Sequence, residues 1–403
     1  MKILVINCGS STVKFQLIEL EWRRDGFGQK RLLAGGLVDR IGGKATRTFF
    51  VQGGSSRQEE SSVQNHEQAV GVIIEWLSSI AGLGSIDAVG HRIVHGGDQF
   101  TTAVWIDDRL VEGLDSLSEL APLHNPAGVA GIRAARKFLG SAMPMVAAFD
   151  TSFHHTMPES ARTYALPREL AQKHGIHRYG FHGLAHQYSV IRYGEITGTP
   201  VEQIKIVTLH LGNGCSACAV RDGVSVDTSM GFTPLEGLVM GTRSGDIDPA
   251  VVPFLARKEG VSADEVESWL NKRSGLLGLS GISNDMRELT AAYDKDSSAR
   301  LAVDVFCYHA RKYLGAYLAA LGGADGVVFS GGIGENSPLV RAKICADMDW
   351  CGLQLDPAAN VAVLGSDGCI APPQSAVQVH VVHTDEEAII ARETARVLSE
   401  RTK

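Results

Sequence analysis

The chain has 403 residues, of which 44% are apolar and 21% charged, with a formal net charge of -7 and a pI near 6.1. That length fits two compact domains with ample core, and the composition excludes a disordered or fibrous chain. The acidic balance offers no general attraction to nucleic acid or anionic lipid, so any anion the protein binds must be held locally.

Residues 3–20 open with two apolar, β-branched runs flanking Gly9-Ser10-Ser11, the pattern of a β-hairpin. Residues 21–31 read as its polar tip, 35–62 as further turns and short strands, and 67–80 as a helix. Residues 206–226 repeat the opening plan. ILVINCGSSTVKFQLI sets over IVTLHLGNGCSACAVR without a gap, placing Gly9 on Gly212, Ser10 on Asn213 and Ser11 on Gly214. The period is half the chain, so the repeated unit is a whole domain. The apolar run 326–329 leads into a glycine-rich turn at 330–336, after which Ser337-Pro338 opens a helix. Residues 377–382 read as a buried strand and Glu386–Arg401 as a helix.

Both repeated turns suit phosphate, because converging backbone N–H groups form an anion nest and glycine lets the anion approach the main chain. Neither is a Walker A loop, since no GxxxxGK[ST] occurs and a strand follows each turn. The turn at 330–336 suits a nucleotide, whose flat base can slide against glycine backbone. Other signals are weaker. Cys215 and Cys218 form a lone CxxC with no second ligand pair, and His91 and His95 have no third ligand, so no zinc site is expected. His154-His155 reads as a polar loop. No apolar run approaches the ~18 residues of a membrane span, strand-like sequence starts at Ile3, and seven scattered cysteines suit a reducing compartment; a cytoplasmic location is expected.

Longer motifs sharpen this. NCGSSTVK at 7–14, GHRIVHGG at 90–97, PLHNPA at 122–127, FDTSFHHTMP at 149–158, RYGFHG at 178–183, HLGNG at 210–214, GFTPLEGLVMGTRSGDIDP at 231–249 and TDEE at 384–387 resemble the acetokinase family, a branch of the actin/Hsp70/sugar-kinase superfamily. The resemblance runs from residue 3 to near 395; Thr12, Cys215 and Cys218 depart mildly from it, and 21–31 follow no family pattern. It implies an α/β, duplicated, ribonuclease H-like fold with mixed sheets around a central cleft. The domains would be 1–152, with the C-terminal helix 388–403 returning to it, and a nucleotide-binding domain at 153–387.

The resemblance also implies an activity: reversible, direct in-line phosphoryl transfer between ATP and acetate, giving acetyl phosphate and ADP, with Mg²⁺ present and Mn²⁺ able to replace it. A carboxylate is already ionised at pH 7, so such a site needs cations rather than a general base. By family correspondence Arg92, Asp150, His182 and Arg243 are catalytic. Arg92, Val94, Leu123, His124, Phe181 and Pro234 contact the acid. Asn7 and Glu386 serve the metal. Ser10, Ser11, Thr12, Lys14, His210, Leu211, Gly212, Asn213, Gly214, Asp285, Met286, Arg287 and residues Gly331, Gly332, Ile333, Gly334, Glu335 and Asn336 contact ATP. A homodimer with small-molecule substrates, and no nucleic-acid or membrane partner, is implied. Propionate or butyrate kinase is the near alternative, and a non-catalytic nucleotide switch of the actin or Hsp70 kind the distant one.

Overall fold

The structure, a computed structural model, describes residues 1–23, 28–54, 56–117 and 125–401. The chain divides into two compact units, Met1–Phe153 with Asp385–Lys403, and His154–Thr384.

Among the described residues of the first unit, eight strands form one sheet. They are β1 (Lys2–Cys8), β2 (Thr12–Leu20), β3 (Lys30–Asp39), β4 (Gly43–Val51), β5 (Arg57–Val63), β6 (Ala88–Ile93), β7 (Val104–Trp105) and β8 (Met145–Phe149), in the order β5-β4-β3-β2-β1-β6-β8-β7. β1 and β2 form the expected hairpin, while β6 runs parallel to β1 and β8 parallel to β6. The helix His66–Ser79 lies where the pattern predicted one, with Asn65 capping the Gln68 N–H. Residues 35–62 differ from expectation: instead of short strands and turns, β3, β4 and β5 make a long antiparallel meander. Gly35 and Gly36 sit inside β3 because a Cβ at Gly36 would lie 2.3 Å from the Thr48 carbonyl oxygen and 2.7 Å from the Phe49 ring. Of the stretch read as a hairpin tip, 24–27 lie outside the described residues, and Lys30 and Arg31 already belong to β3.

The second unit repeats the plan. Its described strands are β9 (Lys205–Leu211), β10 (Cys215–Arg221), β11 (Val224–Thr228), β12 (Gly326–Ser330), β13 (Gly368–Cys369) and β14 (Gln378–Val381), ordered β11-β10-β9-β12-β14-β13. β9 and β10 form a hairpin, and β12 is parallel to both β9 and β14. So β3-β2-β1-β6-β8 and β11-β10-β9-β12-β14 share order and sense, and three residues separate the first two strands in each, 9–11 and 212–214. The helix Glu386–Arg401 packs on β1, β6 and β8 of its own unit, where Gly90 leaves room for Thr394 and Ile390.

Candidate active site

In the first unit the parallel strands β1, β6 and β8 end together, and loops at such carboxyl ends are the usual place for ligands in α/β sheets. Asn7 comes from the end of β1, Arg92 from the end of β6, Asp150 from the residue after β8, and Glu386 from the first turn of the terminal helix. Arg92 Nε donates to Asp150 Oδ1 at 3.0 Å and Nη2 donates to Asp150 Oδ2; Nη1 donates to Asn7 Oδ1 at 3.3 Å, and Glu386 Oε2 lies 3.9 Å from Nε. Four residues assigned by resemblance are thus brought together around one guanidinium. Burial opposes the charge on Arg92, but Asp150 and then Glu386 outweigh it and raise its pKa. Burial holds the pKa of the Asp150 carboxyl, which is only 2% exposed, above its usual value, and the forked Arg92 pair pulls it part of the way back.

The Gly9-Ser10-Ser11 turn is closed by Gly9 N–H donating to the Thr12 carbonyl at 2.9 Å, and leaves Ser10 and Ser11 exposed. Lys14, expected to contact ATP, has its ammonium paired with Glu387 at 2.8 Å. Glu387 is a buried carboxylate that the sequence reading left without a role; burial raises its pKa, Lys14 draws it down, and its Oε1 finds no hydrogen-bond partner among the described residues. Val94 is half-buried, whereas Leu123 and His124 lie outside the described residues. Asn125, fully buried, was also missed: it accepts from His95 N–H at 3.1 Å and donates to the His95 carbonyl at 3.0 Å, fixing the loop that follows Arg92. His91 is kept neutral by burial, which lowers its pKa to about 3. Among the described residues no three His, Cys, Asp or Glu side chains gather as a ready-made metal site.

In the second unit His182 and Arg243 flank the Gly212-Asn213-Gly214 turn: a Cβ on Gly214 would sit 3.3 Å from His182 Nε2 and 3.7 Å from Arg243 Nη1. His182 holds a left-handed backbone conformation, φ 57°, at the start of the helix Gly183–Thr197. Its preceding carbonyl, that of Phe181, lies 3.0 Å from His154 Nε2, and His154 Nδ1 lies 2.8 Å from Ser225 Oγ. His154 is therefore not in a polar loop. It is buried, its pKa lowered to about 4 by that burial, and it supports the backbone that carries His182. Phe181 is itself only 1% exposed, and Pro234 is half-buried and offers its carbonyl to Arg243 Nη1 at 3.1 Å.

Arg243 has no carboxylate partner among the described residues. Its side-chain hydrogen-bond partners among the described residues are the Pro234 carbonyl and the Met240 sulfur, the latter at 3.6 Å, and burial lowers its pKa. The loop 231–249 that carries it has no regular secondary structure, yet it is held by its own turns and by Leu276 N–H donating to the Met240 carbonyl at 2.9 Å. Gly275, φ 61°, is required there because a Cβ would meet the Met240 carbonyl oxygen at 2.2 Å.

Beside the turn lies a cavity of about 800 Å³, within the size range of ligand pockets. Gly212, Asn213, Asp285, Met286, Arg287, Gly332, Ile333 and Asn336 all line it, together with Asn284, Thr290 and Ser337, which the sequence did not single out. The glycine-rich turn expected at 330–336 is a short helix, Gly331–Asn336, entered through Gly331 at φ 75°. One face of it turns inward. Glu335 is buried and accepts from Gly331 N–H and Thr384 N–H, both at 3.0 Å, and Gly334 packs against Phe329. His210 and Leu211 are buried on β9, with His210 Nδ1 3.1 Å from Ser330 Oγ.

A sequence profile of the Acetokinase family matches residues 2–392. The acetate kinase of Chloroherpeton thalassium is 49% identical over 98% of this chain and 99% of its own. Two crystal structures resemble the whole chain. That of Porphyromonas gingivalis acetate kinase is 42% identical with a TM-score of 0.91, and that of a propionate kinase from Francisella tularensis is 39% identical with a TM-score of 0.90; each match covers 98% of this chain and 99% of the other. With one family profile spanning the duplicated fold, and relatives aligned from end to end, the chain belongs to the acetokinase family and is a kinase.

Proposed function

We propose that this kinase moves the terminal phosphoryl group of ATP to acetate, reversibly, giving ADP and acetyl phosphate. The observation that carries this is Arg243, a largely buried cation with no acid partner among the described residues, which lies with His182 beside the Gly212-Asn213-Gly214 turn and near a nucleotide-sized cavity. An uncompensated buried charge is costly, so a site that keeps one is matched to an anion. A carboxylate oxygen of acetate attacks the γ-phosphorus, the bond to the β,γ-bridging oxygen breaks, and ADP leaves with that electron pair; no proton has to be removed. Arg243 and His182 then hold the charge on the equatorial oxygens. Arg92 is assigned to the acid and the phosphoryl group, with Asp150 orienting it.

Asn7, Asp150 and Glu386 offer the hard oxygen donors that Mg²⁺ takes. When bound, Mg²⁺ neutralises phosphate charge. Asn7→Ala and Glu386→Ala are expected to raise the Mg²⁺ concentration for half-maximal rate more than the acetate KM; an effect confined to the acetate KM would remove both from the metal shell. No helix among the described residues is long and apolar enough to cross a membrane. We place the protein in the cytoplasm as a homodimer, for which sedimentation should give twice the 43.1 kDa chain mass.

The propionate kinase likeness favours a second reading, in which the preferred acid is one carbon longer. A pocket separates substrates that differ by one methylene by about 1–3 kcal/mol, so both acids should react, with acetate ahead by tens-fold or less. Val94→Ala should raise the kcat/KM ratio of propionate over acetate while leaving the ATP KM unchanged. An unaltered ratio with a lowered melting temperature would place Val94 in the core instead.

A further inference from the structure

Behind His182 runs a chain of buried side chains that the phosphoryl-transfer chemistry does not itself require. His182 Nδ1 lies 2.9 Å from Ser216 Oγ, the same oxygen lies 2.8 Å from His186 Nε2, and His186 Nδ1 lies 2.7 Å from Thr208 Oγ1. Ser216, His186 and Thr208 are all 0% exposed. They come from three elements, β10, the helix Gly183–Thr197 and β9, so the alignment is a product of the fold and not of local sequence. Burial drives the His186 pKa well below its usual value, so the ring is neutral and carries a single hydrogen.

Resting on the assignment of His182 to the transferred phosphoryl group, we propose that Ser216, His186 and Thr208 form a strut that sets the tautomer and orientation of His182, so that its outer nitrogen Nε2 carries a hydrogen whether the ring is neutral or charged. With the ring neutral, Thr208 donates to His186 Nδ1, His186 Nε2 donates to Ser216 Oγ, and Ser216 donates to His182 Nδ1. The hydrogen of His182 is then on Nε2, beside the Gly214 turn. With the ring charged, the added proton is on Nδ1 and Ser216 accepts it. Ser216 turns its own hydrogen toward His186 Nε2, and His186 carries its hydrogen on Nδ1. The strut holds three hydrogens in both states, and a hydroxyl is the group that can both donate and accept at that position. A bare Nε2 lone pair would instead face phosphoryl oxygens and repel them. Facing His182 are Arg243 from the loop 231–249, His210 on β9 at a ring separation of 5.0 Å, and the neutral His186; Cys215 on β10 lies by Arg243. These make up the charged and titratable surroundings of His182, whereas the strut sets which nitrogen holds the remaining hydrogen.

The test is the pH profile of kcat/KM, with ATP, Mg²⁺ and acetate, for the intact chain and for Ser216→Ala, Ser216→Thr and His182→Ala. Ser216→Ala should match the parent at acidic pH, where a charged ring donates from both nitrogens, and fall roughly 10-fold below it as pH rises through the His182 titration. Ser216→Thr keeps the hydroxyl and should restore the parental shape. A merely structural role for Ser216 would lower all points equally, and a parallel profile overturns the strut. Should Ser216→Ala fail to fold, ¹⁵N spectra of imidazole-labelled parent protein decide: above the titration His182 must show its hydrogen on Nε2, and a hydrogen on Nδ1 overturns the proposal. An unimpaired His182→Ala would overturn the assignment of His182 to the phosphoryl group, which separates failure of that reading from failure of the strut.

Discussion

Arg243→Ala is expected to lower kcat/KM for acetate by about 10²- to 10³-fold, most of it in kcat, with the melting temperature nearly unchanged or raised. Arg243 keeps its charge against burial with the Pro234 carbonyl and the Met240 sulfur as its side-chain partners among the described residues, so the folded protein gains little from it and its removal relieves a desolvated charge. Its benefit comes when phosphoryl charge grows beside the second phosphate turn. Arg243→Lys should recover only part of the loss, because an ammonium cannot make the planar, two-pronged contact of a guanidinium. Steady-state kinetics together with a thermal melt check this. A protein that loses stability and keeps its kcat would make Arg243 a structural residue.

Arg92→Ala should behave in the opposite way, costing stability as well as activity. Its forked pair with Asp150 is buried, and removing the cation strands a carboxylate that is 2% exposed, at a cost of about 3–5 kcal/mol. The loss should depend on pH. In the variant, burial and then the neighbouring Glu386 charge both act upward on Asp150, and its folded pKa stands above the unfolded value of about 3.9. A carboxyl raised in the folded state favours folding while protonated. The variant should therefore be most stable below pH ~4 and lose that stability as pH climbs from there through the raised folded pKa. Adding Asp150→Asn should remove the pH dependence and return part of the stability. Melts of the single and double variants at several pH values decide it, and an Arg92→Ala protein as stable as the parent at neutral pH would contradict the buried-pair account.

Much of the fold was legible because its signals are local. The two hairpins announce themselves by β-branched runs around Gly9-Ser10-Ser11 and Gly212-Asn213-Gly214, and the terminal helix by its periodicity and acidic first turn. What was misread depends on distant partners. Gly35 and Gly36 look like turn residues in sequence, yet they sit mid-strand because β4 crowds them with Phe50, Thr48 and Phe49. Residues 331–336 have the composition of a turn, yet they close into a helix whose Glu335 is tied to Thr384, 49 residues away. His154 has a polar neighbour and a loop-like context; only the fold shows Phe181 and Ser225 accommodating both its ring nitrogens. The site divides in the same way. Arg92, Arg243 and His182 could be named from motif, but the pairing of Lys14 with Glu387 spans 373 residues, and the strut behind His182 joins positions 22 to 34 apart. No sequence pattern encodes which nitrogen of a buried imidazole carries its hydrogen.

In the proposed reaction the phosphoryl group goes to a carboxylate. The most direct measurement is ³¹P NMR of the folded protein incubated with ATP and Mg²⁺, with and without acetate. Acetyl phosphate and ADP should appear together in equal amounts only when acetate is present, and Arg243→Ala should suppress both. ADP and inorganic phosphate forming at the same rate without acetate, or no acyl phosphate from any short-chain acid, would contradict it.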